Sequence, residues 1–214
     1  GGVTFDSNSN KVVIAYDDQA DENKGMGIVG TVSGTSISFG SAATFNSGTT
    51  RDIATTFDTT NNKIVIAYRD TGNSNYGTAI VGTVSGTSIS FGSEAVFLSA
   101  RADSMHQIAF IPGLGTLIGF RDSGDGKAIY GTVSGSSISF DTATTFGDAD
   151  GYYGIIIAYD SENGEAIVIY EDSDDSNQGK ARTVGGIPEF SSLLMPIASV
   201  LLIVGFNYRR RESS

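Results

Sequence analysis

The 214-residue chain contains no cysteine, no tryptophan, one histidine and three prolines. The missing cysteine excludes a disulfide scaffold, thiolate-ligated zinc, an iron–sulfur cluster, a haem thiolate and a cysteine nucleophile. The single histidine, His106, rules out His-pair metal motifs and leaves one candidate for a His-dependent triad. Positive charge is scarce as well: 13 Lys and Arg stand against 24 Asp and Glu, for a formal charge of -11. Such a chain lacks the basic footprint of a nucleic-acid binder, and nucleic acid is not an expected partner. Charged residues make up only 17% and hydrophobic ones 39%, which is too apolar for a disordered chain. No P-loop, no dinucleotide-binding glycine motif in a strand-to-helix setting and no H-E-x-x-H is present.

What the chain does have is a repeat. Ile28–Ser41 reads IVGTVSGTSISFGS, Ile80–Ser93 repeats it without a change, and Tyr130–Thr142 reads YGTVSGSSISFDT. A second marker, an apolar run ending in aromatic-x-Asp, recurs from Ile14, Ile66, Ile118 and Val168, so the period is near fifty residues. About 3.7 copies are present. Each divides into short segments rich in Ile, Val, Thr, Phe and Tyr, separated by Asn, Gly, Asp and Ser. In the second copy the predicted strands are 53–58, 63–69, 77–84 and 88–97. The second of these, Lys63–Tyr68, is apolar on both faces and therefore needs cover on both sides.

An immunoglobulin-like sandwich needs twice this period. A unit of roughly 40–50 residues and four strands, covered by like neighbours, matches a β-propeller blade. The expected fold is thus all-β: a β-propeller of four-stranded antiparallel blades, approximately 1–45, 46–97, 98–146 and 147–186, followed by a C-terminal hydrophobic helix. The first copy begins abruptly at Gly1 and the fourth lacks the SGTSISF segment, so two closures are expected. One is a four-bladed ring in which the N-terminal residues supply an outer strand to the last blade. The other, which is the favoured reading, is a longer chain with further blades upstream.

Beyond residue 186 the composition changes. Ile187-Pro188-Glu189-Phe190 leads into SSLLMPIASVLLIVGFNY, and Arg209-Arg210-Arg211 closes the run. The stretch between Glu189 and Arg209 carries no charge and is long enough to span a bilayer. The arginines would then lie on the cytoplasmic side and the repeats outside. This order of Pro-Glu-Phe, apolar segment and Arg cluster resembles the PEF-CTERM sorting signals, relatives of the PEP-CTERM and PGF-CTERM tails. The resemblance covers residues 187–214 alone. It implies an archaeal surface protein, an archaeosortase-like processing protease as a partner, and cleavage near Pro188–Phe190 with transfer to a lipid-like anchor. Residues 1–187 hold 22 acidic and 10 basic residues, in keeping with an acidic extracellular domain.

Candidate site residues are those that break the repeat. The loops between second and third strands carry Asp18, Asp70, Asp122 and Asp172, one per copy. Asp172, Asp174 and Ser176 alternate as oxygen ligands of a calcium ion would, although no EF-hand spacing is complete. The other reading is that each Asp accepts backbone N–H groups of its own turn. The loops expected between a fourth strand and the next first strand hold Arg51, Asp52, Arg101, Asp103, His106, Asp148, Asp150, Tyr152 and Tyr153. Arginine, carboxylate and tyrosine on one face are similar to a sialidase site. The turn Ser85–Phe91, however, lacks the Asp, Gly spacing and Trp of the sialidase Asp-box. Three functions stay open: a surface module for adhesion or for recognition of a glycan or surface protein, an extracellular carbohydrate hydrolase or lyase, and a structural envelope component.

Overall fold

The computed structural model describes residues 1–102, 104–148, 154–172, 175 and 178–185. Among them there is no helix, and seventeen strands account for most of the chain. The first repeat contributes β1 (Gly2–Asp6), β2 (Lys11–Asp18), β3 (Lys24–Ser33) and β4 (Ser36–Phe39). A long β5 (Ala43–Asp58) leads into β6 (Lys63–Asp70), β7 (Tyr76–Ser85), β8 (Ser88–Phe91) and β9 (Ala95–Arg101). The third repeat forms β10 (Ser104–Ile111), β11 (Gly115–Asp122), β12 (Asp125–Ser134), β13 (Ser137–Phe140) and β14 (Thr144–Asp148). The fourth forms β15 (Ile156–Asp160), β16 (Glu165–Asp172) and β17 (Gln178–Val184).

Turn chemistry fixes the hairpins. The β3–β4 connection pairs Ser33 with Ser36 across Gly34-Thr35, and only Gly34 has positive φ, at 59°. That is the two-residue type II′ pattern, which matches strand twist and demands glycine first. Gly86 and Gly135 repeat it at 61° and 62°. At the β1–β2 turn, the Asp6 carboxylate accepts the N–H of Asn8 (2.9 Å) and of Ser9 (3.0 Å). Asp58 does the same for Thr60 and Asn61, and Asp160 for Glu162 and Asn163. The third repeat dispenses with the aspartate and turns through Ile111-Pro112-Gly113-Leu114-Gly115, with both glycines at positive φ.

The assembly of these hairpins corrects the expected propeller. The strands form a curled nine-stranded half-barrel sheet, a five-stranded sheet and a three-stranded sheet, not a ring of separate four-stranded blades. The cause is β5. Nothing stops the chain between Ala43 and Asp58, so this strand pairs β3 with its first half and β6 with its second, joining two repeats into one sheet. A register irregularity between Arg51 and Ala54 takes up the bend. The expected fourth strand is also divided: the short SISF strand covers one half of its neighbour's edge, and the strand after it covers the other half. The expected C-terminal apolar helix falls within residues 187–214, outside the described residues.

Each repeat has a leading face toward the preceding repeat and a trailing face toward the next. At the first seam Phe45 packs on Tyr68 (ring centroids 5.1 Å) and on Phe91 (5.7 Å). Phe97 meets Phe120 and Phe140 in the same way, and Phe146 meets Tyr170 (4.9 Å). The expectation that the second strand is covered on both sides holds for β6, where Ile64 to Tyr68 are all fully buried. Glycine permits the close approach: a Cβ on Gly92 would lie 1.9 Å from the Ser136 carbonyl oxygen, and one on Gly40 would lie 1.8 Å from that of Thr87.

Candidate functional site

One rim of the molecule gathers the loops after β2 and β6 together with the bent part of β5 and the end of β9; the loops after β11 and β16 take the same place in the third and fourth repeats. Backbone bonds tie the rim: Thr50 N–H donates to Asn23 O, Thr71 N–H to Thr49 O, and Ala102 N–H to Asn75 O. Charged side chains in these loops and strands pair with one another. Arg51 Nη1 lies 2.9 Å from Asp17 Oδ2 and also donates to Asn23. Arg69 Nε lies 3.1 Å from Asp52 Oδ2. Lys127 Nζ is 2.6 Å from Asp122, and Lys180 Nζ is 2.7 Å from Asp172 and 3.2 Å from Asp175.

The four aspartates that recur once per repeat have structural tasks here. Asp18 accepts the Ala20 N–H, and Asp70 accepts the Asn73 N–H. Asp70 is 6% exposed and lies against Gly48 and Gly72, whose missing side chains leave it room. Asp122 is held below the usual carboxylate range by the hydrogen bond from Lys127. Asp172 accepts the Asp175 N–H and the Lys180 ammonium, which raises the pKa of the lysine. In the loop expected to bind calcium, a lysine therefore supplies positive charge to Asp172. No cluster of three His, Cys, Asp or Glu side chains arranged for a metal occurs among the described residues.

The residues expected in loops after the fourth strand are distributed differently. Arg51 lies within β5, beside Asp52, which adopts a left-handed φ of 51°. Arg101 ends β9, exposed and opposite Tyr76. His106 belongs to β10 and is the extra residue where the register shifts between Met105 and Gln107. The backbone of Asp148 pairs with Asp125 in β14. Asp103, Asp150, Tyr152, Tyr153 and Asp174 lie outside the described residues, as do the sorting-signal residues Pro188, Glu189, Phe190, Arg209, Arg210 and Arg211.

Sequence reading did not single out Asp17, Asn23, Asn46 or Arg69 as site residues. Asn46 is buried and donates to Thr50 Oγ1 while accepting the Gly48 N–H, which shapes the start of the β5 bend. The available signal was Asn46 itself, a polar residue directly after the apolar Ala43-Thr44-Phe45. The molecule also has concave features away from the paired charges, two of which lie between repeats. A 260 Å³ cavity opens between the first strands of three repeats, lined by Gly1, Val3, Ile53, Thr55, Gln107 and Ile108. A 420 Å³ groove lies between the third and fourth repeats, with Tyr130, Asp141, Phe146 and Arg182 on its walls. Tyr130 donates to Val184 O at 2.7 Å, and burial pushes its phenol up to about 12. No family model matches the chain, and no curated protein matches it in sequence.

Proposed function

We propose that this chain is a cell-surface binding module. Residues 187–214 hold it at the membrane, either as a retained span or through sortase-type processing. The repeats present the charged rim to a glycan or to another surface protein. The observation that carries this reading is the mutual pairing of the rim charges. Arg51 with Asp17 and Arg69 with Asp52 are fixed by strand and loop backbone before any partner arrives, so recognition loses little side-chain freedom. Arg51 is still 41% exposed at its side chain, which leaves donors facing solvent. The acidic excess of residues 1–187 suits a protein facing the exterior, and the Pro-Glu-Phe tail supports anchorage there.

The test is binding of the detergent-solubilised full chain to a glycan array and to immobilised cell-envelope fractions. Arg51→Ala combined with Arg101→Ala is expected to weaken binding by about tenfold or more. Both side chains are partly or fully exposed, so the melting temperature should hardly move. No binding on either panel, or binding indifferent to both substitutions, would overturn the reading.

A further inference from the structure

The end of β17 is where the repeats pass into the segment read as a sorting tail, and residues that break the repeat hold it. Tyr130 faces Leu117 as Val29 faces Val13 and Val81 faces Val65, so a tyrosine stands where the first two repeats have valine. Val184 faces Ala166 at the position that is Gly30, Gly82 and Gly131 in the earlier copies. Those glycines make room for the SISF strand that follows each of them. A Cβ on Gly82 would lie 2.9 Å from the Ile89 side chain, and one on Gly131 would lie 2.7 Å from that of Ile138. The fourth repeat has no SISF segment, and its valine is buried in one apolar cluster with Phe146 and Ile155.

The two changes meet in one contact. Across the seam between the third and fourth repeats, the Tyr130 hydroxyl donates to the Val184 carbonyl at 2.7 Å. The next residue, Gly185, has a φ of 69°, and a Cβ there would lie 2.8 Å from the Tyr130 ring. Backbone conformation and space both demand glycine at this point. The valine of the earlier repeats would supply neither the donor nor the ring. The chain therefore leaves the repeats pressed against Tyr130. Pro188 follows Gly185 by three residues, a reach of at most about 11 Å.

We infer that Tyr130 is a latch on this junction: it holds Val184 and Gly185 in the fold and so withholds the chain before Pro188–Phe190 from a processing protease until the end of β17 is released. The inference rests on the reading of residues 187–214 as a processed tail. A protease takes its substrate as an extended chain on both sides of the cleaved bond. Where the residues on one side belong to a folded strand, local opening has to come first, and cleavage follows the population of the open form. One neutral hydrogen bond changes that population about two- to tenfold. The latch thus sets a rate and does not forbid processing.

The full chain in detergent tests this, with proteinase K as the probe and mass spectrometry to locate the cuts. Tyr130→Phe keeps the ring and loses the donor, whereas Tyr130→Val copies the earlier repeats and loses both. Cleavage within residues 184–190 is expected to quicken about two- to tenfold in Tyr130→Phe and further in Tyr130→Val. Hydrogen exchange at Val184 and Gly185 should quicken in step. Gly92→Asp, which loosens a different seam, is the control and should leave junction cleavage at the wild-type rate. Equal rates in wild type and Tyr130→Phe would overturn the latch. So would a Gly92→Asp variant that speeds junction cleavage as much, because the cuts would then follow general unfolding. The tail is checked separately, by the C-terminal mass of protein from its native membrane. Loss of residues 209–214 there supports processing, and an intact Arg209–Ser214 peptide would overturn the processing step without bearing on the proteinase K result.

Discussion

Residues 28–41 and 80–93 are the same fourteen amino acids, folded into the same type II′ hairpin, yet they occupy different environments. In the second copy the hairpin is wedged against the trailing face of the first repeat, where a Cβ on Gly27 would lie 2.7 Å from the Phe91 ring. In the first copy the same leading face looks outward. Local sequence therefore decides the hairpin, its turn and its register, while burial depends on which surface stands next to it. The strand propensities and the Ser-Gly-Thr-Ser turn are satisfied equally in both copies. Only the seam partners, Phe45 and the Gly27 gap, distinguish them.

Cutting the large aromatic residue at equivalent points should give the widest separation between the two copies. Phe57→Ala removes a buried ring from the first seam and is expected to cost about 3–5 kcal/mol in denaturant unfolding. Phe5→Ala, measured at a concentration where the chain is monomeric, should cost under about 1 kcal/mol. Equal costs would mean that the leading face of the first repeat is covered in solution even in the monomer.

A smaller effect is expected where one repeat rests its backbone on another. Gly40 and Gly92 follow SISF and lie against the next repeat's turn, whereas the third copy has Asp141 there, exposed, with no fourth SGTS turn to meet it. Neither glycine has positive φ, so the restriction is space and not backbone conformation. Gly92→Asp, which installs the third copy's own residue, is expected to destabilise by about 1–3 kcal/mol through steric displacement of the Ser136 turn. Asp141→Gly should change stability by less than about 1 kcal/mol. Thermal melts of the two reciprocal variants check the asymmetry, and a tolerated Gly92→Asp would show that the seam can open without loss.

Much of the strand pattern was legible in the sequence because it is written in short-range chemistry. The predicted strands at 63–69 and 77–84 correspond to β6 and β7, and the gap between the predicted strands 53–58 and 63–69 is the turn between β5 and β6. The way in which edges pair was not legible. Ala43 to Asp58 contains no proline and only Gly48, and nothing local tells whether it will break into a loop or run on as one strand serving two neighbours. The propeller expectation failed there, and Arg51, expected in a loop, lies within β5 instead. The recurring aspartates were read with two alternatives, a turn-holding task or a bound cation; backbone N–H groups face Asp18, Asp70 and Asp172, and lysines face Asp122 and Asp172. The partners Asp17 and Asp52 lie 34 and 17 residues from the cations they meet, a separation that repeat spacing alone does not connect.

The smallest expected effect concerns those rim aspartates, again as a contrast between copies. Lys127 and Lys180 pair with Asp122 and Asp172, but the same position holds Met26 and Thr78 in the first two repeats. Because Lys127 depresses the Asp122 pKa below its ordinary 3.8, the pair stabilises the folded state above about pH 4. That contribution is lost as the pH falls through the lower folded-state value and the carboxylate takes up a proton. Lys127→Thr, which copies the second repeat, should therefore cost under about 1 kcal/mol at neutral pH, the scale of a partly exposed ion pair. The gap between wild type and variant should close in strong acid, where Asp122 is protonated in both. Denaturant midpoints at neutral pH and in strong acid measure it. A gap that stays constant with pH would assign the effect to the packing of the lysine stem and not to its charge.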